Sequence, residues 1–273
     1  MQEMQTLLPL VLATLATLGL SQEPEPSLAT SPRADVPAIF PSQKEVVKQL
    51  FSLGVRLDLT RQLIEVDGFV CQDREPLEYL LVNEHGKKHE ALLRMENVSA
   101  EALNTAMLLC GAEVGVNVDY VPVDPPPTKE EFQNGAPMST EVPASGDGFY
   151  IYVAWENQNS DGTVEPYIFR AEDLVVNVNS DRSYHRAPFV YLGSRFIKPH
   201  KDAAEMFAAD AEGNIVSLVY FKPANHLLTG NDPDASNQYV WYPNAFLLPE
   251  IGASVKILFS CKPLASPTPT VPK

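Results

Sequence analysis

Most of this chain consists of short apolar runs that alternate with polar residues and are separated by turns. Val55, Leu57 and Leu59 alternate with polar neighbours, and Ile64 and Val66 repeat the pattern after a polar stretch. Alternation with a period of two is typical of half-buried β-strands. Further strand-like runs lie at residues 78–82, 116–120, 149–155, 167–169, 174–176, 189–192, 206–208, 215–220, 239–242 and 255–259. Strands this short and this numerous predict a β-rich domain.

Two segments carry the helical period instead. Ser42 and Glu45 have the spacing of a capping box, and apolar residues then recur at three- and four-residue intervals until Gly54. Ser99 opens a second helical pattern, which Gly111 ends. Together with the strands, they predict an α+β fold, predominantly β, with many short, mostly antiparallel strands and two main helices.

Two weaker local signals lie in the second half of the chain. Residues 223–228 have a short helical pattern, and residues 210–214 have the composition of a hairpin turn. We therefore expect one additional short helix at 223–228 and a tight connection between strands at 210–214.

The first 21 residues have the features of a secretory signal. Thr6 to Leu20 form an uncharged, leucine-rich run that is shorter than the roughly 20 residues a membrane span needs. Small residues follow, so we expect cleavage near Ser21–Gln22 and a periplasmic or secreted protein. The first five residues lack Lys and Arg and include Glu3, so an uncleaved anchor or a buried helix is the alternative. With the signal cleaved, no integral membrane span is expected.

Composition divides the remaining chain into three parts. Residues 22–41 are rich in Pro, Ser, Ala and Glu and are expected to be a flexible linker. A single domain is expected over residues 42–262, interrupted by a proline-rich loop at about 121–147 that has no apolar period. Residues 263–273 are again proline-rich and are expected to be a disordered tail.

Charge and cysteine content exclude several classes of function. The chain has 35 acidic and 20 basic residues, a net charge of −15, which repels nucleic-acid phosphates and makes nucleic acid an unexpected partner. Cys71, Cys110 and Cys261 form no C-x-x-C pair, so nothing supports a zinc ribbon or an iron–sulfur cluster. Cys110 and Cys261 follow apolar residues and are expected in the core. The sequence leaves open whether two of the cysteines pair or all three stay reduced.

Several segments, in order, resemble the YdjY-type domain found in exported bacterial proteins. They are KHEALL at 88–93, AMLLCGA at 106–112, APFVYLGSRF at 187–196, the loop at 236–237 and the last strand at 255–259. The Gly-Ser-Arg-Phe block at 193–196 is the most specific of them. The resemblance covers about residues 55–260 and implies export and a single domain. It implies no established activity.

The histidines offer the first candidate chemistry. His85 and His89 are four residues apart, but a Gly-Lys-Lys turn separates them, and the H-E-x-x-H motif of zinc proteases is absent. A metal site, an ordinary polar loop leading to a strand, and a contact with a small molecule or partner all remain open. His89 and Glu90 could also act as an acid–base pair.

Two later segments add further candidates. Ser194 does not lie in the G-x-S-x-G motif that holds the nucleophile of many serine hydrolases. The Arg195 guanidinium is expected to form a bidentate pair with a carboxylate or with backbone carbonyls, or to bind an anion. The acidic segment around Asp234 lacks the spacing and terminal Glu of an EF-hand. Turn chemistry explains that segment better than calcium.

We therefore favour a non-enzymatic binding or interaction module of the cell envelope. Its expected partner is an unknown small molecule or envelope protein, no cofactor is expected, and the oligomeric state stays open. The sequence assigns no catalytic residue and no metal ligand. Its candidate ligand-binding residues are His89, Glu90, Ser194, Arg195, Asn225 and Asp234. The alternative is a metal-dependent or hydrolase-like enzyme that uses His89, Glu90 and Arg195, which would require these three residues to meet in one pocket.

Overall fold

A computed structural model describes residues 41–159, 161–198 and 200–265 of the chain. All of these residues belong to one compact unit. The expected signal at 1–21, the linker up to residue 40 and the end of the tail at 266–273 lie outside the described residues. None of the helices in the described part has the length and apolar character required to cross a membrane.

The described residues contain four α-helices and seventeen strands. The helices are α1 (Pro41–Ser52), α2 (Ala100–Leu109), α3 (Lys129–Gln133) and α4 (Ala208–Glu212). The strands are β1 (Arg56–Asp58), β2 (Leu63–Val70), β3 (Tyr79–Val82), β4 (Ala91–Met95), β5 (Asp119–Pro122), β6 (Ser139–Val142), β7 (Gly148–Gln158), β8 (Val164–Arg170), β9 (Val175–Asn177), β10 (Arg182–Ser183), β11 (Phe189–Tyr191), β12 (Phe196–Ile197), β13 (Met206–Phe207), β14 (Asn214–Ser217), β15 (Leu228–Thr229), β16 (Trp241–Pro243) and β17 (Ser254–Ser260).

The main sheet closes on itself. Its strands follow the order β2-β17-β7-β11-β15-β14-β3-β4, and β4 returns to pair with β2. Strands β1 and β8 extend the sheet by pairing with β2 and β7. Most pairings are antiparallel, and β14–β15 and β3–β4 are parallel. The expectation of an α+β, predominantly β fold is confirmed, and closure leaves few unpaired strand edges.

The hydrophobic core joins the closed sheet to helix α2. Alternate residues of the long strands, such as Ile64, Ile151 and Ile257, are fully buried in one cluster. Leu103 and Met107 of α2 are buried in the same cluster. Burying side chains of this size stabilises the fold by roughly 1.5–3 kcal/mol each.

Both expected ends of α2 are confirmed. The Ser99 side chain accepts a hydrogen bond from the backbone N–H of Ala102 at 3.1 Å, and Gly111 follows the helix in the left-handed conformation at φ 82°. Asp210 of α4 provides a second cap that the local pattern did not reveal, because its carboxylate accepts the N–H of Glu101 at 3.0 Å. Helix α4 is therefore fixed against the start of α2.

Two local expectations in the second half are wrong. Residues 223–228 contain no α-helix, and the expected turn at 210–214 instead contains the end of α4. Gly213 stops that helix with φ 75°, and its Cα lies so close to Gly86 that a Cβ there would be 2.3 Å from the Gly86 nitrogen. The contact of Gly213 with Gly86 joins segments distant in sequence, so a local pattern does not encode how this connection packs.

The expected loop at 121–147 also differs from the structure. It contains most of a two-stranded sheet, β5 paired with β6, and the short helix α3 between them. Thr128 and Glu131 form a capping box at the start of α3. All four β5 residues are exposed. A strand exposed on both faces needs no apolar alternation, which is why the strand-like run at 116–120 indicated only the beginning of β5.

Candidate functional site

His89 and Glu90 lie beside a lysine that joins two carboxylates. His89 is on a short 3-10 turn, with a side chain 78% exposed and its Nε2 3.6 Å from Glu90 Oε1. Lys87 Nζ lies 3.0 Å from Glu78 Oε2 and 2.9 Å from Glu90 Oε2. Among the described residues, no group of three or more His, Cys, Asp or Glu side chains is arranged to hold a metal ion.

The two carboxylates around Lys87 differ in acidity. Burial raises the pKa of Glu78, and the opposing effect of the Lys87 ammonium is too small to cancel it. Burial also acts to raise the pKa of Glu90, but hydrogen bonds from Lys87 and Glu78 outweigh it and leave that pKa below its usual value. Lys87 thus serves mainly to neutralise two neighbouring acids.

Three of the candidate residues form a second cluster. The Ser194 hydroxyl donates to the Asn225 carbonyl at 2.9 Å and accepts the N–H of Ala209 at 3.1 Å. Arg195 Nε donates to Asn225 Oδ1 at 2.7 Å, and the Asn225 amide in turn donates to Glu212. These bonds connect the Gly-Ser-Arg-Phe block to α4. The prediction of a bidentate pair for Arg195 is wrong: within the described residues, its exposed side chain makes one hydrogen bond and no ion pair.

Tyr79 lies beside Lys87 in the first cluster, and its pKa responds to the Glu212 carboxylate in the second. Tyr79 stacks on Phe221 with ring centroids 5.3 Å apart, and Lys87 Nζ lies 5.7 Å from the Tyr79 ring centre. Burial raises the pKa of Tyr79, and the carboxylates of Glu90 and Glu212 add to this effect. No hydrogen bond or ion pair between described residues links His89 or Glu90 to Arg195.

Asp234 belongs to a separate, arginine-centred network. Arg182 donates to both oxygens of Asp232 at 2.7 Å and to Asp234 at 2.8 Å. The Asp232 side chain is fully buried and also accepts the backbone N–H of His185 at 2.7 Å. Asn177 donates to Asp234 at 2.9 Å. A bidentate arginine–carboxylate pair of the kind expected at Arg195 is formed instead by Arg182 and Asp232, which are fifty residues apart in sequence.

A cleft opens where β17 separates from β7. Pairing of β17 with β7 starts at Lys256, opposite Ala154, whereas its pairing with β2 already starts at Ser254. Beyond Ala154, β7 continues to Gln158 with β8 as its partner. Among the described residues, no strand pairs with the other edge of β7 over this stretch. After Ala154, the backbone edge of β7 that faces β17 is therefore available to pair with another strand.

The cleft has a volume of about 810 Å³ and a mainly apolar lining. Its lining residues are Asp67, Gly68, Phe69, Ala154, Trp155, Glu156, Pro166, Tyr167, Ile168, Ser254, Val255 and Lys256. Trp155 is half-buried and stacks on Phe169 at 5.2 Å.

The charged groups beside the cleft are mostly paired with one another. Lys256 Nζ contacts Asp67 and lies 3.6 Å from Glu65. Arg56 donates to Glu65 at 2.8 Å and to Asp67 at 2.9 Å. Glu156 stands exposed on the opposite rim. The arrangement presents an apolar slot with an acidic side chain at its entrance, and none of the candidate residues from the sequence lies in it.

The sequence of this chain matches a known protein-family model. A family model of the YdjY domain matches residues 55–260, which span the closed sheet from β1 to the end of β17. No curated protein and no solved structure matches the chain. The match includes both the Gly-Ser-Arg-Phe cluster and the strands that form the cleft, and covers most of the chain. The chain belongs to the YdjY domain family.

Proposed function

We propose that this protein is a non-enzymatic binding module of the cell envelope that holds an extended peptide segment of a partner protein in the cleft between β7 and β17. The separation of β17 from β7 beyond Lys256 carries the proposal. An extended peptide can pair with a free strand edge and gain affinity from main-chain hydrogen bonds. Alternate peptide side chains would then enter the apolar slot.

The charges around the cleft favour a basic, apolar peptide. Lys256 and Asp67 are already engaged with each other, so they add little net attraction for a ligand. Glu156 at the rim and the net charge of −15 favour a peptide in which apolar residues alternate with Lys or Arg. The engagement of the charged groups also argues against general acid–base chemistry in this cleft.

A labelled octapeptide of alternating valine and lysine tests this proposal. We expect it to bind in the micromolar range, as small transient interfaces do, and a glycine–lysine octapeptide of equal charge to bind at least about tenfold more weakly. Fluorescence anisotropy measures both. N-methylation of alternate backbone amides on the valine–lysine peptide should abolish binding, because the main-chain bonds would be lost.

Ala154→Arg is the matching change in the protein. The long side chain would occupy the cleft, so we expect at least a tenfold loss of peptide affinity. Val178→Arg is the control, since Val178 is 53% exposed, lies outside the cleft and receives the same charge. Equal loss in both variants would mean that charge alone attracts the peptide. Unchanged binding by Ala154→Arg would remove the cleft as the site.

We also propose that the protein is exported. The uncharged, leucine-rich run from Thr6 to Leu20 supports this, because its length suits a secretory signal better than a membrane span. Protein recovered from the periplasm or medium should begin near Gln22 when its intact mass is measured. Mature protein that retains Met1 would contradict cleavage.

A further inference from the structure

Two of the three cysteines meet the same glutamine. Cys110 directly follows helix α2, and Cys261 directly follows strand β17. The side-chain amide of Gln62 donates to the Cys110 carbonyl at 2.9 Å. The backbone N–H of Cys261 donates to the carbonyl of the same Gln62 at 3.3 Å. Two segments about 150 positions apart in sequence therefore converge on one residue.

Both cysteines contact the main hydrophobic core. Cys110 is 3% exposed and belongs to the main hydrophobic cluster, and Cys261 is half-buried and packs against that cluster. Cys261 is thus the thiol that a reagent from solution can reach first. A disulfide requires Cα atoms within about 4.4–6.8 Å. Gln62 contacts both cysteine backbones, Cys110 through its side-chain amide and Cys261 through its backbone carbonyl, so one residue separates the two segments.

Cys71 lies apart from this pair. It follows β2, and its backbone N–H donates to the Leu92 carbonyl at 2.9 Å. Burial raises the pKa of the Cys71 thiol to about 11, so it stays protonated at neutral pH. Within the described residues, Cys71 contacts β4 and not Gln62, so its position does not favour pairing with either of the other two cysteines.

We propose that Cys110 and Cys261 form an intramolecular disulfide when the protein meets a small-molecule or protein disulfide. The Cys261 thiolate attacks one sulfur of the oxidant, forms a mixed disulfide and releases one thiol. The Cys110 thiolate then attacks Cys261 Sγ, which forms the Cys110–Cys261 bond and releases the second thiol. The two cysteines lose two protons and two electrons, and the oxidant disulfide is reduced to two thiols.

This cross-link would join the end of the last strand to the end of α2. It would close a loop of about 150 residues, and long loops restrict the unfolded chain most. The oxidised protein should therefore melt about 5–15 °C higher than the reduced protein. The proposal is independent of peptide binding, because the cysteines lie outside the cleft.

Oxidised glutathione and the purified full chain provide the test. After incubation and alkylation, a non-reducing peptide map should show the Cys110–Cys261 link and an alkylated Cys71. Cys71→Ser should form the same link, and its melting temperature should rise on oxidation as in the wild type. Cys261→Ser should form no intramolecular link and show no rise. A link to Cys71, or only glutathione adducts on Cys110 and Cys261, would overturn the proposal.

Discussion

Replacement of Arg182 by methionine is expected to lower the free energy of unfolding by about 3–5 kcal/mol, the largest effect among the substitutions considered. The change would leave the Asp232 carboxylate fully buried without the guanidinium that donates to both of its oxygens at 2.7 Å. Methionine retains much of the side-chain volume, so the loss comes mainly from the uncompensated charge. Urea unfolding at pH 7, followed by circular dichroism, measures it.

Arg195→Met is the matched control for this prediction. Arg195 is exposed and makes a single hydrogen bond, to Asn225. Its replacement should change the free energy of unfolding by no more than about 0.5 kcal/mol, as for most surface substitutions. Equal losses of unfolding free energy in the two variants would show that Arg195 has the structural role first expected of it. They would also show that Arg182 stabilises the fold no more than Arg195 does.

The pH dependence of the Arg182 variant supplies an independent check. In the wild type, burial acts to raise the pKa of Asp232, but hydrogen bonds from Arg182 and two backbone N–H groups outweigh it and lower the pKa. The lowered pKa contributes stability above the ordinary aspartate value, which is lost as pH falls through the folded-state pKa. Without Arg182, Asp232 should accept a proton at higher pH. The stability gap between the two proteins should therefore narrow in acid.

Those features of the fold that depend on neighbouring residues could be predicted from the sequence. Ser99 and Gly111 bound α2 as expected, because capping and left-handed stops need only a few adjacent residues. The short strands followed from period-two alternation. Closure of the sheet could not be predicted, since β2 pairs with β4 and with β17 almost two hundred positions away. The contact of Gly213, which ends α4, with Gly86 likewise joins residues distant in sequence.

The candidate residues show the same division. The Gly-Ser-Arg-Phe block led to Ser194 and Arg195, and the structure places both on Asn225. Their partners differ from those expected because α4 supplies the neighbouring groups. The acidic segment around Asp234 was recognised, but its cation, Arg182, gave no local signal. The cleft was missed for a related reason: it arises where pairing between β17 and β7 stops.

The second large prediction is that the fold loses stability in acid because it contains a buried histidine. His226 is 2% exposed, and its Nε2 has no hydrogen-bond partner among the described residues. Its ring meets the edge of Phe221 at 6.2 Å. In the part of the chain that the structure describes, the buried Oδ1 of Asn214, the first residue of β14, also has no hydrogen-bond partner. This apolar setting favours the neutral imidazole, and burial lowers the pKa of His226 from 6.5 to about 4.

The depressed pKa of a base fixes the sign of the effect. The unfolded chain binds a proton at His226 below about pH 6.5, whereas the folded protein resists it until about pH 4, so stability is lost as pH falls through this window. The loss should approach about 3 kcal/mol, because each pH unit between the unfolded and folded pKa values corresponds to about 1.36 kcal/mol. His226→Gln removes the titration, and its own stability cost is the same at both pH values. Urea unfolding at pH 7 and pH 4.5 should therefore show a smaller loss in the variant than in the wild type. Equal losses in the two proteins would mean that other groups, such as the carboxylates paired with Arg182 and Arg56, account for the acid sensitivity.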